Sequence, residues 1–178
     1  MTMKKQKSEE ARPLPIADLP RGTARPRLVV FDLDNTLWTP ELYQLKRFPK
    51  AERDIWLFQG TRAALNELSS GRPEWADTKV ALDSRTGQVE WAKELLSKFE
   101  LSPASTLNDL SSGLQQIFSG SKRAHYERLK ADSGIPFSAM IFCDDSTMNT
   151  CEIERMGVLC VLVSARAVDL GSGLATFR

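Results

Sequence analysis

Polar residues able to do chemistry occur in four places along this 178-residue chain, each at the end of a short apolar run. Leu28-Val29-Val30-Phe31 leads into Asp32-Leu33-Asp34-Asn35-Thr36, and Lys79-Val80-Ala81-Leu82 into Asp83-Ser84-Arg85. Gln115-Gln116-Ile117-Phe118 is followed by Ser119-Gly120-Ser121-Lys122, and Ala139-Met140-Ile141-Phe142-Cys143 by Asp144-Asp145. Two acids as close as Asp32 and Asp34 repel unless something accommodates them: a cation, a shared proton, or a role that uses two protonation states. Asp32/Asp34, Ser84/Arg85, Lys122 and Asp144/Asp145 together make the set that a phosphoryl group requires. It needs a nucleophile, a proton donor, positive charge against its oxygens, and a metal that lets two anions approach. Taken singly, each has a plainer reading: an acidic turn, a strand-end hydroxyl, a surface salt-bridge arginine, a solvated lysine. Lys122 is the hardest to dismiss, because a cation in the first turn of a helix is mildly unfavourable.

The elements that would position these groups follow from the pattern. Continuous apolar runs of four to six residues read as strands buried on both faces of a parallel sheet. Such runs are expected near residues 28–32, 79–82, 115–118, 139–143 and 158–163, with a further short strand near 55–58. Helical spacing is expected from Gly60 to Leu68, around Trp91, Ala92, Leu95, Leu96 and Phe99, from Lys122 to about Ser133, and over Cys151, Ile153 and Met156, closed by Gly157. Ser121 is placed to cap the third of these helices. Residues 100–114 read as Ser-rich and irregular, with one helical turn near 107–110. Strands alternating with helices imply right-handed β-α-β units and a Rossmann-like, three-layer α/β domain, whose ligands bind beyond the carboxyl ends of the strands.

Composition narrows the class. Apolar residues make up 42% and charged residues 26%, as in a soluble globular domain, and a net charge of +1 argues against a nucleic-acid binder. Residues 1–27 carry seven basic and three acidic side chains and four of the nine prolines, and read as a disordered or loosely attached basic arm preceding a domain over 28–178. The three cysteines, Cys143, Cys151 and Cys160, show no C-x-x-C spacing, which favours free thiols in a reducing compartment and hence a cytoplasmic (or nuclear) location. No apolar run approaches membrane-spanning length, so no membrane partner is expected. The long connection 35–59 holds Trp38, Tyr43, Phe48, Trp56 and Phe58 and reads as a cover for the site. Packing is the preferred role for Trp56 and Phe58, while for Trp38 packing and substrate stacking weigh equally. His125, the only histidine, reads as packing or capping near the site rather than as a catalytic base.

The string Asp32-x-Asp34-x-Thr36 after an apolar strand resembles motif I of the haloacid dehalogenase superfamily of phosphotransferases. The longer run Phe31-Asp32-Leu33-Asp34-Asn35-Thr36-Leu37-Trp38 is similar to its small, uncapped eukaryotic magnesium-dependent phosphatases. So are Ser84-Arg85-Thr86, Gly120-Ser121-Lys122 with His125-Tyr126-Glu127-Arg128-Leu129, Gly134-Ile135-Pro136-Phe137, Phe142-x-Asp144-Asp145 with Asn149, and Gly157-Val158-x-Cys160. The resemblance covers roughly residues 27–163. It implies a five-stranded parallel sheet of order 3-2-1-4-5 with no large cap. It also implies Asp32 as nucleophile forming an aspartyl-phosphate, and Asp34 as acid and then base. Ser84, Arg85 and Lys122 would hold the phosphoryl group. Mg²⁺ would sit among the Asp32 carboxylate, the Asp34 main-chain carbonyl, Asp145 and water. Asp144 would be an outer partner or a ligand through water, and Asn149 would brace the two acids. Substrates would be aryl phosphates such as phosphotyrosine, phosphorylated sugars, or phosphoproteins. Asp34 disfavours a dehalogenase or an ion pump. A phosphoprotein-binding module is the alternative of a different class, and a carboxyl-terminal-domain type phosphatase the alternative within the superfamily. The chain departs from the pattern at Asn35, where the family often has Tyr, across 39–59, and in the N-terminal arm.

Overall fold

The computed structural model describes residues 25–102 and 105–164. Most of the arm read over 1–27 and the tail beyond Ser164 therefore lie outside the described residues. Leu28–Asp32 forms β1, buried along its whole length. Two two-residue strands, β2 (Trp38–Thr39) and β3 (Trp56–Leu57), pair antiparallel and close the 35–59 connection into a hairpin-like flap. Helix α1 (Gln59–Leu68), strand β4 (Lys79–Ser84) and helix α2 (Val89–Leu96) follow. A small antiparallel pair, β5 (Glu100–Ser102) with β6 (Ser105–Thr106), then leads into α3 (Leu107–Ser111) and β7 (Gln115–Ile117). The chain continues through α4 (Lys122–Ser133), β8 (Met140–Asp144), α5 (Thr147–Glu154) and β9 (Leu159–Leu162).

The five long strands form one parallel sheet in the order β7-β4-β1-β8-β9. Counting only those strands, this is the order 3-2-1-4-5, with β1 and β8 flanking the switch point. The runs Leu28-Val29-Val30-Phe31, Val80-Ala81-Leu82 and Met140-Ile141-Phe142 supply side chains to both faces. Val29, Phe31, Leu82, Leu95 and Phe99 pack on one side, and Leu28, Val30, Tyr126, Phe142 and Ile153 on the other. Each such side chain contributes roughly 1.5–3 kcal/mol when fully buried, which is why the central strands are apolar through their interiors and polar only at their ends.

Two regions differ from the sequence expectation. Glu100–Ser102 and Ser105–Thr106 pair as antiparallel strands, and Thr106 caps α3 through a reciprocal box with Asp109. Short strands of Ser and Glu carry no apolar periodicity, so the pairing was not legible. Strand β4 also runs two residues further than its apolar core, through Asp83 and Ser84. At the other end of the sheet, Arg27 continues the β1 ladder, donating its N–H to Ala139 O and accepting from Lys79 N. No helix among the described residues is long and apolar enough to cross a membrane.

Candidate active site

The register of the sheet builds the site. Leu28 lies opposite Lys79 and Met140, and the pairing runs on to set Asp32 opposite Asp83, with Phe31 opposite Cys143 and Asp144 next in line. Three neighbouring strands therefore carry an aspartate at the same level near their carboxyl ends, in a row of strands spaced about 4.8 Å apart. All three side chains are buried. Three carboxylates so placed demand positive charge.

Lys122 supplies it. Ser121 caps α4, its hydroxyl accepting the Ala124 N–H at 3.1 Å, and so fixes Lys122 as the first helical residue. The lysine is fully buried, with its Nζ 5.1 Å above the Phe142 ring. Nζ donates to Asp32 Oδ1 at 2.6 Å and to the Asp83 carbonyl at 3.3 Å, and lies 3.1 Å from Asp83 Oδ2 and 3.5 Å from Asp144 Oδ2. Burial alone would strip its proton, but Asp32, Asp83 and Asp144 outweigh burial and hold it charged far above the ordinary lysine range. Burial pushes the Asp32 carboxyl well up; Lys122 pulls it down, and Asp144 and Asp83 push it further up.

Asp144 is clamped from the side. Asn149 Nδ2 donates to both its oxygens at 3.1 and 2.9 Å, and Ser146 N–H to Oδ1 at 2.7 Å. The Asn149 brace is thus made to Asp144, not to Asp145. Asp145 is exposed at the mouth, its carboxyl raised by partial burial, Asp144 and Glu41, with Asn35 acting in the opposite sense.

Asp34 stands on the flap side. Leu33 O accepts from the N–H groups of Thr36, Leu37 and Trp38, winding the chain into a tight turn. Asn35 takes the left-handed conformation in it (φ 57°), a region where Asn is favoured over most residues. The turn brings Trp38 back so that its indole Nε1 donates to Asp34 Oδ1 at 2.7 Å, and Leu42 N–H joins at 3.1 Å. Burial raises the Asp34 carboxyl, the Trp38 and Leu42 donors partly offset this, and Glu41 adds to it. Trp38 is fully buried and stacked on Phe99 with ring centroids 5.7 Å apart, so it packs and aims Asp34 and offers no face to a substrate. Phe58 is buried as expected, whereas Trp56 is 46% exposed, contrary to the packing role expected for it: a two-residue strand leaves its outer face unsupported.

Ser84 is buried beside the row, its hydroxyl accepting the Thr86 N–H at 3.1 Å, while Arg85 is exposed and makes no ion pair among the described residues. The structure thus brings Asp32, Ser84, Lys122, Asp144 and Asn149 to one sheet edge, with Asp34, Asp145 and Arg85 on the segments that leave it.

Asp83 is the residue that sequence reasoning missed as part of the site. Its Oδ1 is hydrogen-bonded to His125 Nδ1, and both side chains are fully buried. A signal existed: Lys79-Val80-Ala81-Leu82-Asp83 and Met140-Ile141-Phe142-Cys143-Asp144 have the same length and ending as Leu28-Val29-Val30-Phe31-Asp32. Aligned as neighbouring strands, the runs put the three acids side by side.

The donors fit a hard divalent cation. Asp32 and Asp145 offer carboxylate oxygens and the Asp34 carbonyl is main-chain; both carboxyls are raised, first by burial and then by neighbouring acids. Asn149 Oδ1, buried next to Asp144, has no hydrogen-bond partner, so the protein leaves an oxygen acceptor open there. Among the described residues no three His, Cys, Asp or Glu side chains form a metal-holding group. That is consistent with a set of only two carboxylates completed by a carbonyl and water.

The chain matches the model of the family described as Acid Phosphatase over residues 24–177. It is 34% identical over 166 residues to magnesium-dependent phosphatase 1 of Homo sapiens, covering 85% of this chain and 87% of that protein. It is 28% identical over 148 residues to a HAD-like hydrolase superfamily protein of Schizosaccharomyces pombe, covering 75% and 83%. Among solved structures, it superposes with a TM-score of 0.62 and 15% identity on the N-terminal part of a Bacteroides fragilis protein containing a phosphatase domain, complexed with Mg, over 85% of this chain and 39% of that one. A haloacid dehalogenase-like family hydrolase from Xanthomonas campestris follows at 0.57 and 14%, over 80% and 84%. These two share the fold. The family match and the human relative carry the assignment further: this chain belongs to the acid phosphatase family, as a phosphatase on the haloacid dehalogenase fold.

Proposed function

We propose that the protein is a Mg²⁺-dependent phosphomonoester phosphatase in which Asp32 is the nucleophile and Asp34 the acid–base. The observation that carries this is the contrast between the two acids. Asp32 is fixed by the Lys122 ammonium at 2.6 Å, while Asp34 sits apart, held by the Trp38 indole, with its carboxyl raised toward the protonated form. An Asp32 carboxylate oxygen would bond to phosphorus as the ester oxygen leaves, and Asp34 would give that oxygen its proton. Asp34, now ionised, would take a proton from the water that attacks the aspartyl-phosphate, releasing phosphate and restoring Asp32. Lys122 and the Ser84 hydroxyl would bind the non-bridging oxygens, with Arg85 reaching the substrate from the mouth. Asp32, the Asp34 carbonyl and Asp145 would hold Mg²⁺, which when bound lets the anionic nucleophile and phosphoryl group approach. Asp144, saturated by Asn149 and Ser146, is assigned to the outer layer.

No separate cap domain lies among the described residues, and the flap exposes Trp56 (46%) and Tyr43 (71%). This supports bulky substrates, either aryl phosphates such as phosphotyrosine or phosphorylated sugars. The free thiols of Cys143, Cys151 and Cys160 support a reducing, cytoplasmic setting. The test is hydrolysis of p-nitrophenyl phosphate with Mg²⁺ and with EDTA, followed by a panel of sugar phosphates and phosphotyrosine peptides. Metal-dependent release that vanishes in D32N while the fold is retained is the expected result. Full activity in D32N would end the mechanism, and turnover unaffected by EDTA would end the metal assignment.

A further inference from the structure

Of the three acids that meet Lys122, Asp83 has no task in the reaction just described. It is nevertheless fully buried, and ionised carboxylates are almost never fully buried without a purpose that offsets desolvation. It is also bound at both ends. Oδ1 meets His125 Nδ1, the main-chain oxygen accepts from the Lys122 ammonium, and Oδ2 lies 3.1 Å from that ammonium as an ion pair without hydrogen-bond geometry. Lys122 and His125 are three residues apart on α4 and present one face to β4, so a single carboxylate spans both.

The imidazole is in turn boxed in. Phe118 lies against it with ring centroids 4.0 Å apart, and the Arg128 guanidinium lies over the Phe118 ring at 4.3 Å. A Cβ on Gly120 would come within 3.2 Å of Phe118, which would have to give by a few tenths of an ångström, and to an ordinary contact of 3.7 Å with His125 Nε2, so the loop before α4 lies close over both rings. His125 Nε2 has no hydrogen-bond partner, so the polar interaction of this ring is the one with Asp83.

We propose that Asp83 and His125 form a positioning pair that keeps the Lys122 ammonium in place when the nucleophile loses its charge. The inference rests on the phosphatase reading above. When Asp32 bonds to phosphorus, its carboxylate becomes an acyl phosphate; the negative charge that paired with Nζ at 2.6 Å leaves with the ester oxygen and ends on Asp34, which gives that oxygen its proton, while the phosphoryl oxygens keep the charge they had. Asp144 is already occupied by Asn149 and Ser146. Asp83 and Asp144 both stay unchanged through the two half-reactions, but Asp83 is the nearer to Nζ, at 3.1 Å against 3.5 Å, and His125 fixes its orientation. Neither residue touches the substrate. Both act through Lys122.

The experiment compares D83N, H125N and H125F with wild type, measuring kcat, KM and thermal midpoint. H125N keeps an N–H donor near the place of Nδ1 but loses the ring. H125F keeps a ring against Phe118 but loses the donor. A positioning pair predicts that D83N and H125F lose about tenfold to a hundredfold in kcat with KM little changed, as misplacement of a catalytic group does, and that H125N is substantially closer to wild type. Simple packing predicts the reverse order for the two histidine variants. Unchanged kcat in D83N, or H125F as active as wild type, would overturn the proposal while leaving the phosphatase reading intact. Because the chain has one histidine, the pair can also be watched without substrate. Its charge-assisted Nδ1 proton should appear downfield of the amides in the ¹H NMR spectrum and vanish in D83N. If wild type proves inactive on every phosphate ester, the phosphatase reading falls. The pair is then judged on that resonance, whose absence from wild type or persistence in D83N overturns it.

Discussion

The two walls of the cleft use the same residue types in opposite ways. On the inner wall, Asp32, Asp83, Asp144, Lys122 and His125 are all buried and joined in one network. On the outer wall, Asp34, Asn35, Glu41 and Asp145 are intermediate or exposed and joined by single bonds such as Asn35 to Glu41 at 2.6 Å. Further out on the flap, Arg53 and Asp54 form an ion pair at 2.7 Å at the surface, the arginine exposed and the aspartate partly so. Burial makes the difference. In a low-dielectric interior every charge requires its partner, so the inner wall is rigid and intolerant. At the rim water substitutes for any missing partner, so the outer wall is free to vary with substrate.

The strongest way to break this contrast is K122A. Removing the cation leaves three buried acids uncompensated, which should cost roughly 3–5 kcal/mol of stability by the usual measure for breaking a buried pair. It should also abolish turnover. Urea unfolding and a p-nitrophenyl phosphate assay check both, and wild-type stability in K122A would refute the account of the inner wall.

A second prediction concerns pH. The Asp32 carboxyl is raised in the folded protein by burial and by Asp144 and Asp83, against an ordinary value of 3.8. The folded state then holds its proton more tightly than the unfolded chain does. This contribution favours folding at low pH and is lost as pH rises above about 3.8 through the raised value. Metal-free protein should therefore lose stability over that rise, and Mg²⁺ should restore it. Denaturant midpoints from pH 4 to 8, with Mg²⁺ and with EDTA, measure the effect, and D32N should flatten the metal-free profile.

On the outer wall, W38F removes the indole donor to Asp34 and part of a buried stack on Phe99. The expected loss is about 1–3 kcal/mol of stability, with kcat falling more than KM changes because Asp34 is no longer aimed. Equal losses in W38F and K122A would erase the distinction between the walls.

The smallest effect is expected at Asp54, whose carboxyl is held down to about 2 by Arg53 and the Lys50 N–H. The pair lies at the surface in contact with water, so D54N should leave the thermal midpoint and kcat unchanged within error. A clear loss in D54N would mean that the flap is as tightly specified as the core.

The contrast also governs what could be read in advance. The strands and the polar groups at their ends were legible because apolar runs and their polar endings are local, strongly patterned features; the strand order and the roles expected of Asp32, Asp34, Ser84 and Lys122 came from the family resemblance. Asp83 was not singled out, because its significance lies in register, and register is a relation between strands. Trp38 could not be assigned between packing and substrate from its own position, since the turn at Leu33 decides where its indole points. Asn149 was expected to brace both acids, yet only Asp144 lies within its reach, because Asp144 ends the strand facing inward while Asp145 turns outward to the mouth.

By itself the sequence determined the five-stranded parallel architecture, the strand ends that carry the site, and the kind of chemistry those residue types perform. Periodicity, capping and residue chemistry all act over a few neighbouring residues. Tertiary structure alone decided which carboxylates share Lys122, that His125 binds Asp83, and that Asp34 answers to Trp38. Those pairings join residues up to 90 positions apart, and only the packing of strands and helices, with the cost of burying an unpaired charge, selects among the partners that the chain makes available.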